Sequence, residues 1–101
     1  MDIELLIIRD CPNSGPAGEL FARALTLEGI DAELVTVREI ITEDEAVAHS
    51  FRGSPTFSIG GKDLFPSTAA PVVTCRVYQE GERLSGQPSL VSLRQAIRAA
   101  T

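Results

Sequence analysis

Cys11 is the residue around which chemistry can be organised. It stands in Leu6-Ile7-Ile8-Arg9-Asp10-Cys11-Pro12-Asn13-Ser14, where an apolar stretch runs into a helix start. A thiol placed there meets the helix dipole and free backbone N–H groups, which favour the thiolate. Cys11-Pro12-Asn13-Ser14 keeps the spacing of a two-cysteine redox motif, with serine in the second place. Cys11 is therefore the candidate catalytic nucleophile, with Ser14 or backbone N–H groups donating to its sulfur. The plainer alternatives are a thiol packed at a turn without turnover, and an Asn13 and Ser14 that only cap the helix.

Cys75 lies in Val72-Val73-Thr74-Cys75-Arg76-Val77-Tyr78. It is either a resolving thiol for Cys11, which requires Cα atoms within about 7 Å, or a small apolar residue of a strand. The second reading is the commoner fate of a free cysteine. Arg9, Arg52 and Arg76 are candidates to gather near the thiol and bind an anion such as a glutathione carboxylate, though surface solvation is their default. His49 has no second residue at metal-ligand spacing, and one histidine with two cysteines gives no structural metal site. Glu43-Asp44-Glu45 reads as helix capping.

The elements that must position these residues are read from pattern. Residues 3–8 are a nearly continuous apolar run, expected of a central strand covered on both faces. Residues 17–28 carry Leu20, Phe21, Ala24, Leu25 and Leu27 at helical spacing, with Pro16 in the first turn and Gly29 as the stop. Residues 31–37 alternate as a half-buried strand nearer the sheet edge, so a βαβ unit with parallel strands is expected. Thr42 to Glu45 is a capping box opening a short helix to about residue 50. Residues 54–59 form a strand led by Pro55, Gly60-Gly61 a hairpin turn, and residues 62–65 the return strand. Residues 66–71 read as loop, 72–78 as a further strand or extended segment, and Glu80-Gly81 as a turn. Ser89 caps a last helix with Leu90, Leu93, Ala96, Ile97 and Ala100 on one face and Arg94 and Arg98 opposite.

Residues 1–101 suffice for a single domain with one modest core. A hydrophobic fraction of 44% and a charged fraction of 23% are those of a soluble globular protein. The net charge of −5, without a basic block, argues against nucleic acid or anionic membrane as partner. Asp2 and Glu4 precede only a short apolar run, which is no secretory signal, so a cytoplasmic location with reduced thiols is expected.

Cys11-Pro12-Asn13-Ser14 between strand and helix resembles the active-site turn of thioredoxin-like proteins. Gly53-Ser54-Pro55-Thr56-Phe57 followed by Ile59-Gly60-Gly61-Lys62 looks like the proline-led strand and hairpin of glutaredoxins and thioredoxins. More narrowly, the combination with Cys75-Arg76-Val77-Tyr78 resembles small bacterial thioredoxin-like proteins. The resemblance covers about residues 2–65 and 88–100. It implies an α/β thioredoxin-like fold, βαβ-α-ββ-α, with a central mixed four-stranded sheet flanked by helices; the chain departs from that pattern in an inserted segment over 66–87, longer than a compact glutaredoxin uses before its last helix. The resemblance also implies a cis Ser54–Pro55 bond lying against Cys11. Pro12, Asn13, Ser54, Pro55 and Thr56 would then be substrate-binding, the residue before the cis proline pairing with an extended peptide or glutathione.

The function so implied is that of a monothiol thiol–disulfide oxidoreductase. Cys11 would attack a disulfide or a glutathione mixed disulfide, and a second thiol would release it. Ser14 removes the local disulfide and so favours mixed-disulfide chemistry. No resident cofactor is expected, with glutathione or another low-molecular-weight thiol as co-substrate. The partner is a thiol or disulfide substrate, a protein included, and a homodimer is compatible. The competing reading is a non-catalytic thioredoxin-fold binding module with a vestigial cysteine. An iron–sulfur carrier using Cys11 with glutathione, and organomercurial cleavage by Cys11, Cys75 and Asp10, rank below both.

Overall fold

The computed structural model describes residues 2–66, 71, 73–80 and 83–101. The molecule is mixed α/β, with three α-helices and a four-stranded sheet of order β2-β1-β3-β4. β1 (Ile3–Ile7) lies centrally, parallel to β2 (Val35–Glu39) and antiparallel to β3 (Thr56–Ile59), which pairs antiparallel with β4 (Lys62–Asp63). The alternation of side chains along a strand sends Ile3, Leu5, Phe57 and Ile59 to one face. There they pack with Ala17, Phe21, Ala24 and Leu25 of α1 (Ser14–Leu27) and Leu93 and Ile97 of α3 (Leu90–Ala100). Phe21 meets Phe57 edge-on at 5.1 Å between ring centres. Leu6 faces the other side, with Ile40, Phe51 and Ala46 of α2 (Glu43–Ala48).

Local chemistry sets the ends of these elements. Gly29 takes φ +78°, and the Gly29 and Ile30 N–H groups donate to Thr26 and Leu25 carbonyls, a Schellman closure of α1. Both halves of the Thr42–Glu45 capping box are made, and the Ser89 hydroxyl accepts from Ser92 N. Gly60 and Gly61 have φ +63° and +78°, the pair of left-handed residues that a two-residue hairpin between β3 and β4 demands.

The described structure departs from the expected pattern at several places. The strand expected over 31–37 begins at Val35, because the Asp31 carboxylate accepts from Glu33 N and winds Ala32–Leu34 into a 3-10 turn. It then runs on to Glu39, which pairs with Ile7. β2 is an edge strand, largely exposed on both faces rather than half-buried. Of the strand or extended segment expected over 72–78, the described residues 73–77 form no strand. Residues 73–77 are irregular apart from a single bridge at Cys75, and a separate hairpin follows, β5 (Tyr78–Glu80) with β6 (Arg83–Ser85). The return strand stops at Asp63, whose carboxylate turns back to accept from Phe65 N. Most of the loop expected over 66–71, Val72 itself and the Gly81 half of the expected turn lie outside the described residues. No helix among the described residues is long and apolar enough to cross a membrane.

Glu28, at the C-terminal end of α1, ties α1 to α3. Its carboxylate accepts from Arg94 Nε at 2.7 Å, Arg98 Nε at 2.9 Å and Arg98 Nη2 at 3.0 Å. These bonds, Arg98 foremost, hold its pKa at about 2. A carboxyl with a depressed folded-state pKa stabilises the fold above its unfolded value and loses that contribution as pH falls through the folded one. Thermal stability should therefore fall as pH drops from about 4.5 towards about 2. Glu28→Gln should flatten that part of the pH profile, and an unchanged profile would exclude the clamp.

Candidate functional site

Strand direction brings the site together. β1 runs towards Cys11, and β3, being antiparallel, starts at the same end of the sheet with Ser54 and Pro55. Beyond the Leu6–Thr56 pair the ladder stops, because the Ser54 carbonyl that would face Ile8 accepts from Arg76 N instead. The next backbone donor, Ile8 N, is taken by the Ser54 hydroxyl at 3.2 Å. The chain then turns at Asp10, φ +62°, a left-handed conformation that aspartate tolerates, and delivers Cys11 beneath Ser54. The Cys11 thiol donates to the Ser54 carbonyl at 3.9 Å. The Ser54–Pro55 peptide is cis.

Cys11 is 8% exposed. Burial pushes its pKa up, but this is outweighed by hydrogen bonds from the Ser54 hydroxyl, the Asn13 backbone, the Ser14 hydroxyl and the Cys75 thiol, so the net shift is downward. The Ser54 hydroxyl accepts from Ile8 and so keeps its own proton for the sulfur. The Ser14 oxygen is buried and has no hydrogen-bond partner in the neutral site, so its proton is free to meet the thiolate and lower the Cys11 pKa. Asn13 is the residue before α1, yet its side chain makes no capping bond. Capping therefore does not account for Asn13. Its side chain instead supports the loop after β6, where a Cβ on Gly86 would fall 2.2 Å from Asn13 Nδ2.

Cys75 is exposed, and like Cys11 it is a free thiol. It forms a parallel bridge with Ser54, with Ser54 N donating to Thr74 O at 2.8 Å and Arg76 N donating to Ser54 O at 2.9 Å. The apolar-strand reading of Cys75 is thus corrected: backbone bonds on both sides of it fix it to the residue that holds Cys11. Desolvation, the charge of a Cys11 thiolate and the hydrogen bond given to that sulfur together raise the Cys75 pKa. The two thiols are split, with Cys11 down and Cys75 up.

The residues after Cys75 anchor this arrangement. Arg76 is buried and donates to Asp63 Oδ2 at 2.6 Å, to Thr56 Oγ1 at 3.4 Å and to the Phe65 carbonyl, with its guanidinium 4.7 Å from the Tyr78 ring centre. The Tyr78 hydroxyl donates to the Pro55 carbonyl, and burial raises its pKa so that the proton stays in place. Gly53, φ +122°, lets this segment approach: a Cβ there would lie 2.7 Å from Arg76 Cβ.

Of the remaining sequence candidates, Pro12 is exposed. Ser54, Pro55 and Thr56 are buried, and the Ser54 backbone expected to pair with a substrate already pairs with Thr74 and Arg76. The Thr56 hydroxyl donates to Gly53 O at 2.6 Å. The arginines do not gather at the sulfur: Arg9 pairs with Glu39, Arg52 donates to Ser50 O, and Arg76 faces Asp63. Among the described residues no group of three or more His, Cys, Asp or Glu is placed to hold a metal ion. A depression of about 360 Å³ lined by Asp2, Glu4, Arg38 and His49 does not include Cys11. The contributions of the Ser54 hydroxyl, Arg76 and Tyr78 went unseen in the sequence, since their partners are set by tertiary contact.

Removing the Ser54 hydroxyl should raise the Cys11 pKa. The alkylation rate of Cys11 at neutral pH should fall in Ser54→Ala and in Ser14→Ala relative to the parent. Rates unchanged in both would show that these hydroxyls do not act on the sulfur. Compared with protein-family models, curated proteins and solved structures, the chain matches none.

Proposed function

We propose that this chain is a thioredoxin-like thiol–disulfide oxidoreductase in which Cys11 attacks a small disulfide and carries the product half as a mixed disulfide. The observation that carries the reading is the Cys11 thiol at the strand-to-helix turn held against Ser54 beside Pro55, with surrounding donors that lower its pKa despite burial. A thiolate is the attacking species in disulfide exchange, and donors placed before reaction favour it at neutral pH. A binding module with a vestigial cysteine has no need of such donors.

The thioredoxin-like part of the reading is supported by the sheet order β2-β1-β3-β4 with only β1 and β2 parallel. A cis proline beside the strand-to-helix cysteine supports it further. The substrate class is argued from access. Cys11 has only a small exposed edge, and the Ser54 backbone, where an extended peptide would add as a strand, is occupied by residues 74–76. A low-molecular-weight disulfide, such as a mixed disulfide of glutathione with a small thiol, fits that opening better than a protein strand. Glutathione is then the reductant as well.

The purified protein should reduce the mixed disulfide of glutathione and 2-mercaptoethanol in the presence of glutathione, and Cys11→Ser should lose that activity entirely. Equal rates for the parent and Cys11→Ser would overturn the assignment.

A further inference from the structure

The bridge between Ser54 and Cys75 puts the second thiol where an incoming substrate strand would otherwise pair. Cys75 lies between the two backbone bonds that join Thr74 and Arg76 to Ser54, and the Ser54 carbonyl is also the acceptor for the Cys11 thiol. Both cysteines are free, and the Cys11 thiol and the Cys75 backbone segment meet on the same residue, Ser54. The Arg76–Asp63 ion pair and the Tyr78–Pro55 bond hold the segment on the C-terminal side of Cys75 against the same wall. We propose that Cys75 is the resolving thiol of Cys11, making the protein a two-cysteine exchange enzyme whose partners come from distant parts of the chain. This rests on the reading of Cys11 as the nucleophile and replaces the external thiol in its second step.

In the first step the Cys11 thiolate attacks one sulfur of a disulfide R–S–S–R′. A Cys11–S–S–R bond forms, the R–S–S–R′ bond breaks, and R′S⁻ leaves and takes a proton from solvent. The Cys75 thiol then loses its proton and attacks the Cys11 sulfur, forming the Cys11–Cys75 disulfide and releasing RS⁻, which takes up a proton. The protein loses two thiol hydrogens and the substrate gains two. Two equivalents of a monothiol such as glutathione reduce the protein disulfide and are themselves oxidised to glutathione disulfide. Ser14 in the second motif position is then no defect, because the resolving sulfur comes from across Ser54.

The test treats the reduced parent, Cys75→Ser, Cys75→Ala and Cys11→Ser with excess glutathione disulfide, then quenches in acid, alkylates free thiols and reads intact mass and tryptic peptides. The parent should lose both free thiols, retain no glutathione, and yield peptide 10–23 linked to peptide 63–76. Both Cys75 variants should instead accumulate one glutathione on Cys11. If the parent holds glutathione on Cys11 as fully as the Cys75 variants do, with Cys75 still free, the resolving role is wrong while the Cys11 assignment stands. If Cys11 is unmodified in every variant, the Cys11 assignment itself fails, and the resolving role with it. Capture of glutathione by Cys75 in Cys11→Ser as fast as the parent is oxidised would overturn the order of attack.

Discussion

The position before Pro55 is the constraint on which the site depends. Ser54 is buried, and every polar group it has is committed: its N–H to Thr74, its carbonyl to Arg76 and Cys11, its hydroxyl oxygen to Ile8. A buried polar group left unpaired is costly, so each of these bonds limits where its partner segment can go. Three stretches far apart in sequence, the end of β1, the start of β3 and residues 74–76, are thereby held around one residue. The segment 74–76 is part of the reason. Arg76 N takes the Ser54 carbonyl, and the serine hydroxyl accepts from Ile8 N in its place.

That constraint sets the electrostatics of Cys11. Its environment is dry, which favours the neutral thiol, and the downward shift exists only because donors are already in position. The anchoring of residues 73–78 serves the same end from the other side. Arg76 is buried beside Asp63 and donates further to Thr56 and Phe65, hydrogen bonds that help a buried ion pair to be tolerated. Phe57, Phe65 and Tyr78 pack edge-on around it, so the segment carrying Cys75 is continuous with the core on the α1 and α3 face. Gly53 is required at its crowded approach to Arg76, where a side chain would collide with the Arg76 Cβ.

Much of this architecture was legible in local sequence. The Thr42–Glu45 capping box, the Gly60-Gly61 hairpin, the Ser89 cap and the apolar run of β1 are written in residues close to one another, and the structure contains each of them. The placement of Cys11 between strand and helix was equally readable. What local pattern cannot carry is partner choice over distance. Cys75 sits among β-formers and reads as a strand residue, yet its segment spends its backbone bonds on Ser54 rather than on a ladder. Asp31 shows the same failing on a smaller scale, since its carboxylate draws Glu33 N into a turn that overrides the apolar alternation of 31–37. Arg76 was a candidate anion ligand by charge alone; Asp63 and Phe65, unremarkable in sequence, claim it.

Ser54 thus joins the Cys11 thiol and the backbone at Cys75, and the two thiols are shifted in opposite directions. The most direct measurement of that coupling is a pH titration of the reduced protein with ¹³Cβ-labelled cysteine followed by NMR, repeated on Cys75→Ser and Cys11→Ser. Cys11 should titrate below an ordinary thiol and Cys75 above it. Cys11 should move up when Cys75 is replaced, and Cys75 should move down when Cys11 is replaced. Two thiols titrating together at the ordinary value, each indifferent to loss of the other, would contradict the coupling.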